Sequence, residues 1–85
     1  MTLARSAKDH ARFMLNTLAP DLRASGRKYT ARDVAKCGRM VLAGKKSAAY
    51  ARWLKTVLIP DLRASGSTST AADLAKCAVV IGRRR

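Results

Sequence analysis

The chain contains no glutamate: its acidic residues are the five aspartates Asp9, Asp21, Asp33, Asp61 and Asp73, set against eighteen Lys and Arg. Acid–base or glycosidase chemistry needs carboxylates free of other duties. Asp21, Asp33, Asp61 and Asp73 fall where helices are expected to start, and Asp9 lies within helical reach of Arg5 and Arg12, so none is spare. Histidine is nearly missing as well. The single His10 has no Ser or Cys placed for it to activate, and there is neither a Walker loop nor a GxGxxG. An enzyme is not expected.

Cysteine is sparse too. Cys37 and Cys77 form no CxxC, and a structural zinc site needs about four Cys/His ligands, so neither a metal nor another cofactor is expected. A bridge between the two is geometrically open if a symmetry axis passes between them. A reducing compartment argues against it, and two small buried hydrophobes are the expectation. No run of 18 apolar residues exists to span a membrane, and the N-terminus lacks the apolar stretch of a secretory signal. The segment MTLARSAKDHARFMLNTL is basic and amphipathic like a mitochondrial presequence, but its pattern recurs at 42–58, which makes it part of the fold. A cytoplasmic protein is expected. Only Phe13, Tyr29, Tyr50 and Trp53 supply aromatic bulk, so the core of so short a chain is modest and self-association as a homodimer stays open.

What is present is written twice. PDLRASG occupies Pro20–Gly26 and again Pro60–Gly66, and sliding the chain by 40 gives 16 identities over the 27 pairs from 11/51 to 37/77. The matches include Ala11/Ala51, Arg12/Arg52, Thr30/Thr70, Asp33/Asp73, Lys36/Lys76 and Cys37/Cys77. Identity at that level over a fixed offset indicates a tandem duplication. Two copies are too few for a solenoid, and a closed pair related by a pseudo-two-fold axis is expected.

Within each copy the apolar spacing is helical: 3, 7, 11, 14, 15, 18 and 22, then 43, 51, 54, 58 and 62. The pattern runs past Pro20 and Pro60. Either one helix kinks there, or a first helix stops and a second starts with proline at its first position. The repeated heptapeptide reads as a structural corner, with Leu22/Leu62 on the core and Gly26/Gly66 supplying a left-handed helix end. A three-residue linker follows (RKY or STS), and Thr30 or Thr70, with an aspartate three residues later, reads as a capping-box helix start. Ala31, Val34, Ala35, Gly38, Val41 and Leu42 then form one apolar face, matched by Ala71, Leu74, Ala75, Ala78, Ile81 and Gly82. The fold class is therefore all-α: a compact four-helix bundle of two tandem ~40-residue hairpins, with helices near 3–25, 31–43, 46–65 and 71–82. It forms one domain over 1–85, comprising a first unit (1–42), a second (43–82) and a basic tail (83–85).

The net charge is +13, divided as +6 over residues 1–40, +4 over 41–80 and +3 in the tail. Such an excess invites an anionic partner. Arg12 and Arg23 are eleven residues apart and share a face if the helix continues through Pro20; Arg52 and Arg63 repeat the arrangement. Arg32, Lys36 and Arg39 form a basic stripe on the second helix, preceded by Arg27 and Lys28 beside Tyr29. Arg83, Arg84 and Arg85 extend the charge. Helix-turn-helix spacing fails around both Gly26 and Gly66, and no RNA-binding or zinc-finger signature occurs. Phosphate contact without base reading is the consistent expectation. Tyr50 and Trp53 are candidate interface anchors or core. Val79 and Val80 extend the apolar surface of the fourth helix, which then covers most of its circumference. The expected function is non-catalytic binding of nucleic acid or a nucleoprotein complex through the Lys/Arg surface, in a regulatory or accessory role. The alternative is an inhibitor or adaptor, of the kind common on phages and mobile elements, that docks on an acidic surface of a host protein.

Overall fold

Each copy carries its own start, bend and stop. The computed structural model describes residues 6–83 and holds four helices: α1 (residues 7–24), α2 (Lys28–Ala43), α3 (residues 48–64) and α4 (Thr68–Gly82). Leu3, Arg5, Arg84 and Arg85, which figure in the sequence expectations, lie outside the described residues. Ser6 caps α1 by accepting the Asp9 backbone N–H at 3.1 Å, and Ser47 caps α3 by accepting that of Tyr50 at 3.0 Å.

Each helix continues through its proline rather than stopping and restarting, by way of a wider turn that neither sequence option included. Met14–Leu18 and Leu54–Leu58 form π-helical turns directly before the proline-containing segments Ala19–Ala24 and Ile59–Ala64. Ala19 N–H reaches back five residues to the Met14 carbonyl, and Ile59 N–H to that of Leu54. In a regular helix the proline ring would collide with the carbonyl four residues earlier and leave it without a donor. The wider turn relieves that collision. Its imprint on burial is a step of five: Met14 and Ala19 are both buried, as are Leu54 and Ile59, while Leu18 and Leu58 are half-buried.

The rest of the heptapeptide builds a helix stop. Gly26 (φ 88°) and Gly66 (φ 87°) occupy the left-handed region. Gly26 N–H bonds the Arg23 carbonyl at 3.1 Å and Arg27 N–H bonds that of Leu22 at 2.8 Å, a Schellman motif that copy two repeats with Gly66, Arg63, Ser67 and Leu62. Ser25 and Ser65 hydroxyls donate to the same Leu22 and Leu62 carbonyls at 3.1 Å. The next helix begins at once. Its N-caps are Arg27 and Ser67, so the expected linker is part of the helix and Thr30 and Thr70 are not caps. The stop motif ties Arg27 and Ser67 back onto the preceding helix, and the chain enters the next turn one residue later.

Each first helix packs on the second helix of its own hairpin, and α2 packs on α4 across the centre. The core is one cluster drawn from all four helices, with Met14, Leu54, Val34, Leu74 and Ile81 among its largest fully buried side chains. At Gly38 α1 comes close to α2: a Cβ there would meet the Ala11 carbonyl oxygen at 3.0 Å.

The contacts between hairpins have the form that a two-fold axis imposes. Residues 40 apart touch each other on the axis: Cys37 is disulfide-bonded to Cys77, and the Arg27 guanidinium donates to Ser67 Oγ at 2.8 Å. Off the axis, contacts come in reciprocal pairs. Tyr50 O–H donates to Asp33 at 2.6 Å, and His10 Nε2 lies 2.8 Å from Asp73. Two expectations change here. The cysteines are bridged rather than two separate thiols, because the axis passes between them. Asp33 and Asp73 do not serve helix starts: with α2 and α4 beginning at Lys28 and Thr68, they sit more than a turn inside and reach across the seam. The partner of Asp73 across the seam is His10. The disulfide is a state that oxidising compartments maintain, so a cytoplasmic location no longer has the cysteines on its side. No helix among the described residues is long and apolar enough to cross a membrane.

Candidate anion-binding groove

The α2 helix begins directly after the Gly26 stop, which places Lys28, Arg32, Ala35 and Arg39 at helical spacings of four, three and four along one outer stripe. Lys28 and Arg39 stand ~16 Å apart along the axis. Arg23 reaches the same stripe from α1. Eleven α-helical residues would bring Arg23 to within ~20° of Arg12, but the π turn absorbs one residue and leaves the two ~80° apart. The shared face expected for Arg12 and Arg23 is therefore absent. Arg12 instead pairs with Asp9 at 2.7 Å on an exposed flank, as the aspartate's position suggested.

Arg23, Lys28, Tyr29, Arg32, Ala35 and Arg39 together line a groove of about 410 Å³. No carboxylate is among them. Tyr29 is 76% exposed beside the groove, and the Arg32 guanidinium lies 5.3 Å from its ring centroid. Arg39 also lines a second, more apolar groove with Lys36, Met40, Leu42, Ala43 and Lys45, so the basic band continues to the end of α2. Four cations around one concavity, without an acid to neutralise them, generate a positive potential that an anion would relieve.

The other basic residues go elsewhere. Arg27 is committed to Ser67. Lys36 extends toward the seam, with Nζ 4.2 Å from the Tyr50 ring centroid. Arg52 and Lys55 line a separate groove on copy two, and Arg83 lines a cavity near the N-terminus of α1. Arg63 is exposed at the position equivalent to Arg23. Its surroundings differ, because Lys28, Tyr29, Arg32 and Arg39 are matched in copy two by Thr68, Ser69, Ala72 and Val79.

Tyr50 packs on the core, its ring stacked on Trp53 at 5.8 Å between centroids. Burial first, then the hydrogen bond to Asp33 and that carboxylate's charge, push its phenol well above the ordinary tyrosine value. Trp53 remains 39% exposed and Val79 48%, while Val80 is half-buried. Lys45 and the seam pairs of His10 and Asp33 were missed in the sequence. The offset of 40 relates His10 to Tyr50 and Asp33 to Asp73, and that double match was the available signal. Among the described residues no group of three His, Cys, Asp or Glu gathers to hold a metal. No family model matches the chain, and no characterised protein or solved structure is significantly similar to it.

Proposed function

We propose that this is a non-catalytic accessory protein that binds the phosphate backbone of nucleic acid, free or within a nucleoprotein complex, through the outer face of α2. The observation that carries this reading is the convergence of Arg23, Lys28, Arg32 and Arg39 on one groove without an acidic residue in its lining. Guanidinium and ammonium groups position a protein on phosphates without reading bases. Tyr29, exposed at the groove with Arg32 over its ring, offers a face on which an unpaired base can stack. The Cys37–Cys77 bond lies on the opposite, buried side of α2 and takes no part.

Fluorescence anisotropy with duplex DNA, single-stranded DNA and RNA, repeated over a range of salt, tests the proposal. Four phosphate contacts on duplex DNA give a log–log salt slope near −3.6, at ~−0.9 per contact. Replacing Arg23, Lys28, Arg32 and Arg39 by alanine should flatten that slope and leave the circular dichroism spectrum unchanged. Absence of binding near physiological salt would overturn the proposal. It would turn attention to an acidic protein surface as the partner of the same cations.

A further inference from the structure

The two reciprocal seam pairs differ in one half-buried residue. On one side Tyr50 fills the space beside α2: its phenol bonds Asp33, and Lys36 lies over its ring. On the other side the equivalent residue is His10. The imidazole still reaches its aspartate, Asp73, but it is smaller than a phenol ring. Among the described residues Lys76, the equivalent of Lys36, lies over no ring. Beside His10 lies a cavity of about 230 Å³, with Ser6, His10, Lys76 and Arg83 among its polar lining and Val41 and Val80 among its apolar residues.

We propose that this cavity binds one phosphate group. Among the described residues its formal charges are Lys76 and Arg83, both cationic, and no carboxylate lines it. Asp73 is engaged by His10 Nε2, which leaves Nδ1 as the imidazole's remaining polar atom. The Ser6 hydroxyl accepts the Asp9 N–H and keeps its own proton to donate. A lysine, an arginine, a hydroxyl and an imidazole suit a tetrahedral oxyanion. The cavity volume suits a single phosphate rather than a polymer backbone. No residue is shared with the α2 groove, so this site stands or falls independently of it.

His10 is the only histidine, so its imidazole NMR signals identify themselves. The experiment titrates the full chain with inorganic phosphate at constant ionic strength, chloride being the exchanged anion. A 5′-phosphorylated dinucleotide and its 5′-hydroxyl counterpart are titrated in parallel. The expected result is a saturable shift of the His10 signals with phosphate, none with chloride, and none with the 5′-hydroxyl form. A response to inorganic phosphate identifies a free ion as sufficient. A response to the 5′-phosphorylated form alone assigns the site to a terminal phosphate. Lys76→Ala, at an exposed position, should weaken binding at least tenfold. His10→Tyr, which gives this side the residue its twin already accommodates, should abolish binding, followed through the Ala7 and Val80 amides. Arg32→Ala with Arg39→Ala should leave the titration unchanged. Non-saturating shifts, an equal response to chloride, no response to any phosphate, or undiminished binding by Lys76→Ala would each overturn the proposal.

Discussion

The two hairpins are alike inside and unlike outside. Both have the π turn before proline, the Schellman stop at glycine, the buried cysteine and the aspartate that crosses the seam. On the outer face of the second helix, copy one carries Lys28, Tyr29, Arg32 and Arg39, and copy two carries Thr68, Ser69, Ala72 and Val79. The difference separates what the fold requires from what it merely presents. Residues near the pseudo-two-fold axis meet their own counterparts, so a change in one copy is felt by the other. Lys28, Tyr29, Arg32 and Arg39 are exposed and away from the axis, and there the copies were free to diverge.

The strongest way to break the comparison is to cut the bond that holds the halves together. Cys37 and Cys77 close a loop of 40 residues, and both side chains are buried. In the chain-entropy account a loop of that length stabilises by about 4 kcal/mol. The double variant Cys37→Ser, Cys77→Ser should lose that amount in a denaturant titration, and the wild type in reductant should show a comparable loss. Equal midpoints with and without reductant would mean that packing of α2 on α4 alone determines the stability.

A second experiment sharpens the comparison by moving the basic stripe. Thr68→Lys, Ser69→Tyr, Ala72→Arg and Val79→Arg recreate the copy-one stripe around Arg63. All four positions are exposed, so the fold should tolerate them. If the α2 groove binds nucleic acid, the variant should carry a second site and bind two equivalents. Removing the original stripe from wild type should cost about a hundredfold in affinity, while Arg52→Ala with Arg63→Ala should cost less than threefold. Equal losses from the two copies would mean that net charge, not the groove, is what binds.

The helical hairpins and their symmetry were legible in the sequence because the apolar spacing and the 40-residue offset both report the core. The groove was half legible. Lys28, Arg32 and Arg39 follow from helical periodicity once α2 is placed, but Lys36 belongs to that pattern as well, and only the position of the Tyr50 ring on α3 shows why it leaves. Arg23 was assigned to the wrong face because a π turn changes phase without changing composition. The five-residue step from Met14 to Ala19 was visible, yet an alanine and an isoleucine beside a proline do not declare burial by themselves. The disulfide was obscured by a prior about compartment, which a distance between two side chains overrides.

The smallest effect concerns the reciprocal seam pair. Tyr50 donates to Asp33 from a half-buried position. Tyr50→Phe keeps the ring, its stacking on Trp53 and the cation over it, and removes only the hydroxyl. The expected cost near neutral pH is about 1.5 kcal/mol, the usual range for a hydrogen bond to a charged acceptor. Its pH dependence follows from the raised phenol. A group whose folded-state pKa lies above its unfolded value contributes stability that is complete below the unfolded value, here near 10, and is lost as pH rises beyond it. Melting temperatures of wild type and Tyr50→Phe should therefore differ by a constant amount up to about pH 10 and converge above it. Lysine titration affects both proteins alike and cancels in the difference. A gap that stays constant into the alkaline range would mean that neither burial nor Asp33 raises the phenol. Copy two would then keep Tyr50 for the volume of its ring and its stacking on Trp53.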